Sequence, residues 1–214
     1  MNTAQYPVAL HDAFRRSTLS PGKSARMRGC IPILFVGSLC LGACASPGAN
    51  PCTFDRAKLL ALDEHSFDQD MDGGWRAIAQ HEECTAVAAD LIREYRETRG
   101  LTSSILYWHE GQLRAFRGST DEAIGLFEQS RHADDAFGWN LYVDASIAFL
   151  RRDKPALLTA RETLASLPRP EDFSLQDAQG NAVEISWPPN LSVVDGLIAC
   201  FDRGYKEAYG NCRK

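Results

Sequence analysis

A helical periodicity that runs almost without interruption from Phe54 to Pro168 is the feature that most restricts the fold of this 214-residue chain. Apolar residues recur there every three or four positions, which places them on one face of a helix. Alternation with a period of two, which is typical of a half-buried strand, is nearly absent over the same range. The sequence therefore predicts an all-α domain. The pattern is carried by Leu59, Leu60, Leu62, Trp75, Ile78, Ala79, Val87, Leu91, Ile92, Tyr95, Ile105, Leu106, Leu113, Phe116, Ala123, Ile124, Phe127, Leu141, Val143, Ile147, Phe149 and Leu150.

Residues 107–130 place small side chains where two paired helices would cross. The small residues are Gly111 in a first helix, Gly118 in a turn and Ala123 in a second helix, and aromatic residues stand at Tyr107 and Phe127. In this the segment resembles a tetratricopeptide repeat, and stepping that family's period of about 34 residues extends a weaker resemblance over about residues 72–168. The resemblance implies that residues 54–168 form an array of helical hairpins with neighbours that cap its ends.

The last part of the chain, residues 169–214, departs from this rhythm. Pro168 and Pro170 end the helical pattern, and residues 182–187 are typical of a short irregular segment or a hairpin arm. A final apolar helix is expected to begin after Asn190 and to end near Gly204 or Gly210. We expect this helix to cap the array.

Residues 1–43 are predicted to be a signal region outside the folded domain. The apolar stretch from Ile31 to Leu41 has 11 residues and follows Arg26 and Arg28, whereas a membrane-spanning helix needs about 20. Residues 1–26 form an unusually long polar lead-in, which an overextended start would explain.

The signal region ends in Leu41, Gly42, Ala43 and Cys44. These four residues resemble the lipobox of bacterial lipoproteins, which implies that Cys44 is lipidated and becomes the first residue of the mature protein. Residues 44–53 would then be a flexible tether, and Ala45 after the cysteine favours the outer membrane. Alternatively, Ala43 to Ala45 is an ordinary A-x-A cleavage site that releases a soluble periplasmic protein. Both interpretations place the domain on the periplasmic side of a bacterial envelope.

Four cysteines remain after the signal region and Cys44 are set aside: Cys52, Cys84, Cys200 and Cys212. An even number in an oxidising compartment permits two disulfides in three connectivities. Proximity along the chain favours Cys52 with Cys84 and Cys200 with Cys212, with free thiols as an alternative. A zinc site is disfavoured because none of the four forms a C-x-x-C pair.

The charge of the mature chain limits its partners. The full sequence has a formal net charge of −5, and removal of residues 1–43 takes away five basic residues and one acidic residue, which leaves −9. An acidic domain is a poor partner for nucleic acid or an anionic lipid surface. Contact with the membrane is therefore expected through the lipid anchor alone.

Motifs that carry chemistry are scarce, so we expect neither an enzyme nor a cofactor. The chain has no G-x-S-x-G motif and no glycine-rich phosphate loop. His109 falls within a repeat helix and is expected at the surface. The alternative is a periplasmic enzyme or metal-binding subunit that uses the acidic turn with Asp68, Asp70 and Asp72, although Ala79 stands where a calcium loop needs glutamate.

Recognition of a partner is the remaining function. In tetratricopeptide arrays the first helices of successive pairs line a concave groove, and the resemblance implies that this groove binds a protein or a peptide. The outward positions of those helices are Trp108, Gln112, Phe116, Asn140, Tyr142, Ser146 and Leu150. The sequence thus predicts a lipid-anchored interaction module with an unknown protein or peptide partner. A closed pocket for a small ligand around Trp108 and Tyr142 is a further alternative.

Overall fold

In the computed structural model of this protein, the described residues are 50–171, 175–176, 182–183 and 186–213. The predicted signal region, Cys44 and most of the tether lie outside these residues. Ten α-helices are found in the described part of the chain. They are α1 (Arg56–Leu60), α2 (Glu64–Asp68), α3 (Gly74–Ala79), α4 (Thr85–Arg99), α5 (Ser104–Phe116), α6 (Thr120–Gln129), α7 (Trp139–Leu150), α8 (Lys154–Ala165), α9 (Leu191–Ala199) and α10 (Tyr205–Gly210).

The remaining elements are short. A 3₁₀ turn at Glu82–Cys84 precedes α4, and strands β1 (Leu175–Gln176) and β2 (Ala182–Val183) pair antiparallel between α8 and α9. The domain is therefore all-α with one small hairpin. Within the described ranges, no helix is both long and apolar enough to cross a membrane.

Several helix starts follow from local hydrogen bonding by aspartate. Asp55, Asp63 and Asp153 occupy the positions before α1, α2 and α8, and each side chain accepts a hydrogen bond from a backbone N–H in the first turn. These bonds satisfy donors that the helix itself leaves without partners. The aspartates therefore fix where these three helices begin.

Consecutive helices pack against each other in chain order from α2 to α8, and the chain then folds back. Helix α9 packs on α7 and α8, while α10 packs on α9 and on α5. The sequence predicts a single C-terminal helix, whereas the structure has two. The helix breaks because Cys200 leaves the helical conformation, with φ −118° and ψ 40°, and α10 restarts after Gly204.

Two apolar cores meet at α5. One core contains Phe67, Trp75, Ile92 and Tyr95 together with Leu106, Leu113 and other residues from α3 to α5. The other contains Trp108, Phe127, Tyr142, Phe149, Leu157, Leu197 and Tyr205, among others. Because α5 supplies buried side chains to both, it is the central element of the domain.

Gly111 permits the close approach of α5 and α6. A Cβ atom at this position would lie 2.8 Å from the Phe127 ring and 3.2 Å from Leu126 Cβ, whereas a Cβ atom at Gly125 on α6 would meet nothing within 4 Å. We expect Gly111→Ala to lower the free energy of unfolding by about 1–3 kcal/mol because the crossing is overpacked. Gly125→Ala is the matched control and should raise it by about 0.5–1 kcal/mol through helix propensity. Urea unfolding of both variants checks this, and a stabilised Gly111→Ala protein would contradict it.

Candidate functional site

Asp68, at the end of α2, is the centre of a buried polar cluster. Its side chain has no exposed area, and its Oδ1 accepts hydrogen bonds from Trp75 Nε1 at 2.8 Å and from His109 Nδ1 at 2.6 Å. Its Oδ2 accepts from the Gln69 side-chain amide. The cluster joins the neighbouring helices α2 and α3 to α5, since Asp68 and His109 are 41 residues apart.

Asp68 is ionised and His109 is neutral at pH 7. Burial alone would raise the pKa of Asp68, but His109, Arg76 and the Trp75 N–H outweigh it and lower that pKa. Burial lowers the pKa of His109, with a further contribution from Arg76, and Asp68 only partly offsets this. Because an ionised carboxylate only accepts hydrogen bonds, Nδ1 of His109 carries the proton and Nε2 presents a lone pair.

Arg76 on α3 places a guanidinium group beside this pair. The residue is 5% exposed, and its Cζ lies 4.2 Å from the centroid of the Trp75 ring. Nε, Nη1 and Nη2 of Arg76 and Nε2 of His109 are buried and have no hydrogen-bond partner among the described residues. Burial is also the main cause that lowers the pKa of Arg76, against the opposing effects of Asp68, Tyr209 and Asp70.

Helix α10 packs on α5, the helix that also carries His109. Tyr205 and Tyr209 have ring centroids 5.9 Å apart and contact the Phe116 ring at 5.9 and 5.6 Å. The Tyr205 hydroxyl donates to Ser146 Oγ at 3.5 Å, and burial raises the pKa of Tyr205. Lys206 pairs with Glu82 at 2.7 Å, which holds α10 to the 3₁₀ turn. These contacts hold the C-terminal helix on α5, on α7 and on the 3₁₀ turn.

The cluster predicts a specific pH dependence. Because folding lowers the pKa of His109 from its ordinary value of 6.5, the unfolded chain binds a proton that the folded chain does not bind between the two values. Stability should therefore fall as pH drops below about 6.5, by up to about 1.4 kcal/mol per pH unit. Asp68 adds to this loss only in more acidic solution, since its own pKa is lowered from 3.8.

Urea unfolding between pH 5 and 8 measures this slope. His109→Gln should remove most of it, whereas His81→Gln, at an exposed position, should leave it unchanged. An unaltered slope in His109→Gln would show that another group is responsible.

Most of the residues expected to line an open groove are interior residues. Trp108, Gln112 and Tyr142 are each 2% exposed, and Ser146 has no exposed area. The Trp108 ring stacks on Phe127 at 4.3 Å. An external partner could reach these four positions only if covering elements moved.

The other three expected groove residues, Phe116, Asn140 and Leu150, are partly buried, and Leu150 packs against the core that contains Trp108. Phe116 packs against both cores, and against Tyr205 and Tyr209 of α10. Asn140 holds the loop before α7, because its Oδ1 accepts from the backbone N–H of His132 and its Nδ2 donates to the carbonyl of His132. All three side chains are thus committed to intramolecular contacts.

The acidic turn does not gather its carboxylates into one group. Asp68 is directed into the interior, while Asp70 is exposed and accepts from the backbone N–H of Asp72 within the turn. Over residues 50–171, 175–176, 182–183 and 186–213, no three His, Cys, Asp or Glu side chains are arranged to hold a metal ion.

The expectation that His109 lies at the surface is wrong, since the residue is fully buried. The spacing of apolar residues could have indicated its burial, because His109 is three residues after Leu106 and four before Leu113. Both leucines face the core. Arg76 was not singled out at all. Its neighbours Trp75 and Ile78 marked a short apolar segment, but nothing local to Arg76 indicated burial.

The four cysteines form two disulfides in the pairing that proximity favours. Cys52 is bonded to Cys84, and Cys200 to Cys212. The first joins the start of the domain to the end of the 3₁₀ turn, and the second holds α10 against the end of α9. Disulfides are consistent with an oxidising compartment.

No family model, curated protein or solved structure matches this chain.

Proposed function

We propose that this protein is a binding protein of the bacterial envelope, tethered through a lipid on Cys44, that encloses its ligand inside a tetratricopeptide-like array. In this proposal α4 to α8 are the array and α10 is the element that closes it. The ligand is small enough to lie between α3, α5 and α10. This assignment keeps the small enclosed ligand of the closed-pocket alternative but not its position, because the Trp108 and Tyr142 rings pack on each other at 4.6 Å.

Contacts at the α5–α6 crossing support the tetratricopeptide-like part of the proposal. Gly111 faces the Phe127 ring, and both Ala123 and Phe127 have no exposed area. These are the small and aromatic positions that carry the resemblance in the sequence. Helices α7 and α8 follow as the next packed pair.

The observation that carries the enclosed-ligand proposal is the cover formed by α10. The inner positions Gln112, Tyr142 and Ser146 are buried, and Tyr205 contacts Ser146 from α10. A peptide laid in an open groove would need these positions at the surface. Enclosure instead suits a small molecule, which binds best where most of its surface is buried.

The outer surface also favours an internal ligand over a docked protein. Leu158, at 39% exposure, is the one large hydrophobic side chain that is exposed among the described residues. Protein-docking surfaces commonly include an apolar patch of several such residues. The exterior of the described domain is therefore a poor candidate for a protein partner.

Comparison of the protein as purified with the same protein after removal of its ligand tests the proposal. The sample is unfolded in urea with its disulfides intact, dialysed and refolded. We expect the stripped protein to melt at lower temperature, since a ligand at 100 times its Kd stabilises by about 2.7 kcal/mol. The small-molecule filtrate from the first sample should restore the original melting temperature, and a filtrate from cells without the protein should not. Equal melting temperatures, with no response to the filtrate, would contradict an enclosed ligand.

A further inference from the structure

Arg76 is a buried cation whose hydrogen-bonding capacity is largely unused. It is 5% exposed, and none of its three guanidinium nitrogens has a partner among the described residues. Stacking on Trp75 at 4.2 Å engages one face of the guanidinium, while its N–H groups point outward in the plane of the group. A buried charge without hydrogen-bond partners destabilises the fold unless an anion binds to it and accepts from its N–H groups.

Asp68 does not supply the hydrogen bonds that Arg76 lacks. One carboxylate oxygen of Asp68 accepts from both Trp75 and His109, and the other accepts from Gln69. The carboxylate therefore contributes a favourable field at Arg76 without making a hydrogen bond to it. The N–H groups of Arg76 are therefore buried without an acceptor among the described residues.

His109 adds a group of the opposite hydrogen-bonding sense. Its Nε2 is buried without a partner among the described residues, and the proton on Nδ1 makes Nε2 an acceptor. Both groups lie against the Trp75 ring, whose centroid is 5.3 Å from that of the His109 ring and 4.2 Å from Arg76 Cζ. The two unused groups therefore lie in one buried region, in which Tyr209 of α10 raises the pKa of Arg76.

We propose that Arg76 and His109 recognise a small, singly charged carboxylate that also carries an O–H or N–H donor, and that this molecule is the ligand enclosed under α10. This inference rests on the proposed function and names the chemical class of its ligand. Arg76 binds the carboxylate through its N–H fork, and His109 accepts from the donor through Nε2. A single charge suits the site because a dianion would place a second negative charge beside Asp68.

Titration calorimetry of the stripped, full-length protein tests this with four probes. Glycolate carries both features, acetate lacks the donor, glycolamide lacks the charge, and inorganic phosphate carries more charge. We expect glycolate to bind at least ten times more tightly than glycolamide or phosphate, and several times more tightly than acetate. Equal binding of glycolate and acetate would show that His109 does not recognise the donor of the ligand. No binding of either carboxylate would overturn the proposal.

Arg76→Met separates recognition from structural support. If Arg76 serves the ligand, this variant should lose glycolate binding by at least tenfold yet melt no lower than the stripped wild type, because an unpartnered buried charge has been removed. A lower melting temperature with unchanged glycolate binding would assign Arg76 a structural role and overturn the proposal. Arg76→Gln provides a polar second variant with the same expected loss. Arg93→Met, in a surface pair with Asp90, is the matched control and should bind as the wild type does.

The same variant separates this inference from the proposed function. If Arg76→Met still carries a ligand that raises its melting temperature before stripping, an enclosed ligand exists but is held by other residues. If neither protein changes on stripping, the enclosed ligand itself is contradicted.

Discussion

Asp68→Ala is expected to lower the free energy of unfolding by about 3–5 kcal/mol, because it breaks a buried ionic network from its centre. Trp75 Nε1 and His109 Nδ1 would both lose their acceptor at buried positions. Arg76 would also lose the nearby negative charge that helps to keep it protonated. Urea unfolding at pH 7 measures the change.

Asp70→Ala is the control for this variant. The Asp70 side chain is exposed and accepts from the backbone N–H of Asp72, so its loss should change stability by about 0.5–1 kcal/mol. Equal effects of Asp68→Ala and Asp70→Ala would show that the buried cluster is not a main determinant of stability.

Removal of the Cys52–Cys84 disulfide by a double change to alanine is expected to cost about 3–4 kcal/mol. The bond closes a loop with a sequence separation of 32, and opening it restores conformational freedom to the unfolded chain. The Cys200–Cys212 bond closes a separation of 12, so its removal should cost about 3 kcal/mol, slightly less than the first.

Urea unfolding of both double variants under non-reducing conditions compares the two bonds. Wild-type protein unfolded with reductant should lose more stability than either variant, because it lacks both bonds. A loss well below about 1 kcal/mol for Cys52→Ala with Cys84→Ala would mean that the first bond contributes little to the fold.

The helices of the central region could be predicted because their signals are local. Apolar spacing within residues 54–168 identifies α4 to α8, and Gly111 and Phe127 identify a helix crossing before any contact is known. The cysteine pairing also followed from short separations. The break between α9 and α10 was missed, because Leu197, Ile198 and Phe201 continue the apolar spacing across the break.

The candidate site could not be predicted because its parts are joined only by tertiary contacts. Asp68 and His109 are 41 residues apart, and the acidic surroundings of Asp68 resemble a metal-binding turn more than a core position. The cover over Gln112 comes from α10, nearly a hundred residues later. Periodicity identifies which face of α5 is apolar, but not which later segment packs on it.

The mass of the protein produced from the full sequence, extracted from envelope membranes and measured first under native and then under denaturing conditions, tests the account most directly. We expect a denatured chain that begins at Cys44 with acyl groups attached and carries both disulfides. We also expect a native mass greater than the denatured mass by that of one small carboxylate. Identical native and denatured masses for a chain without acyl groups would contradict both the anchor and the enclosed ligand.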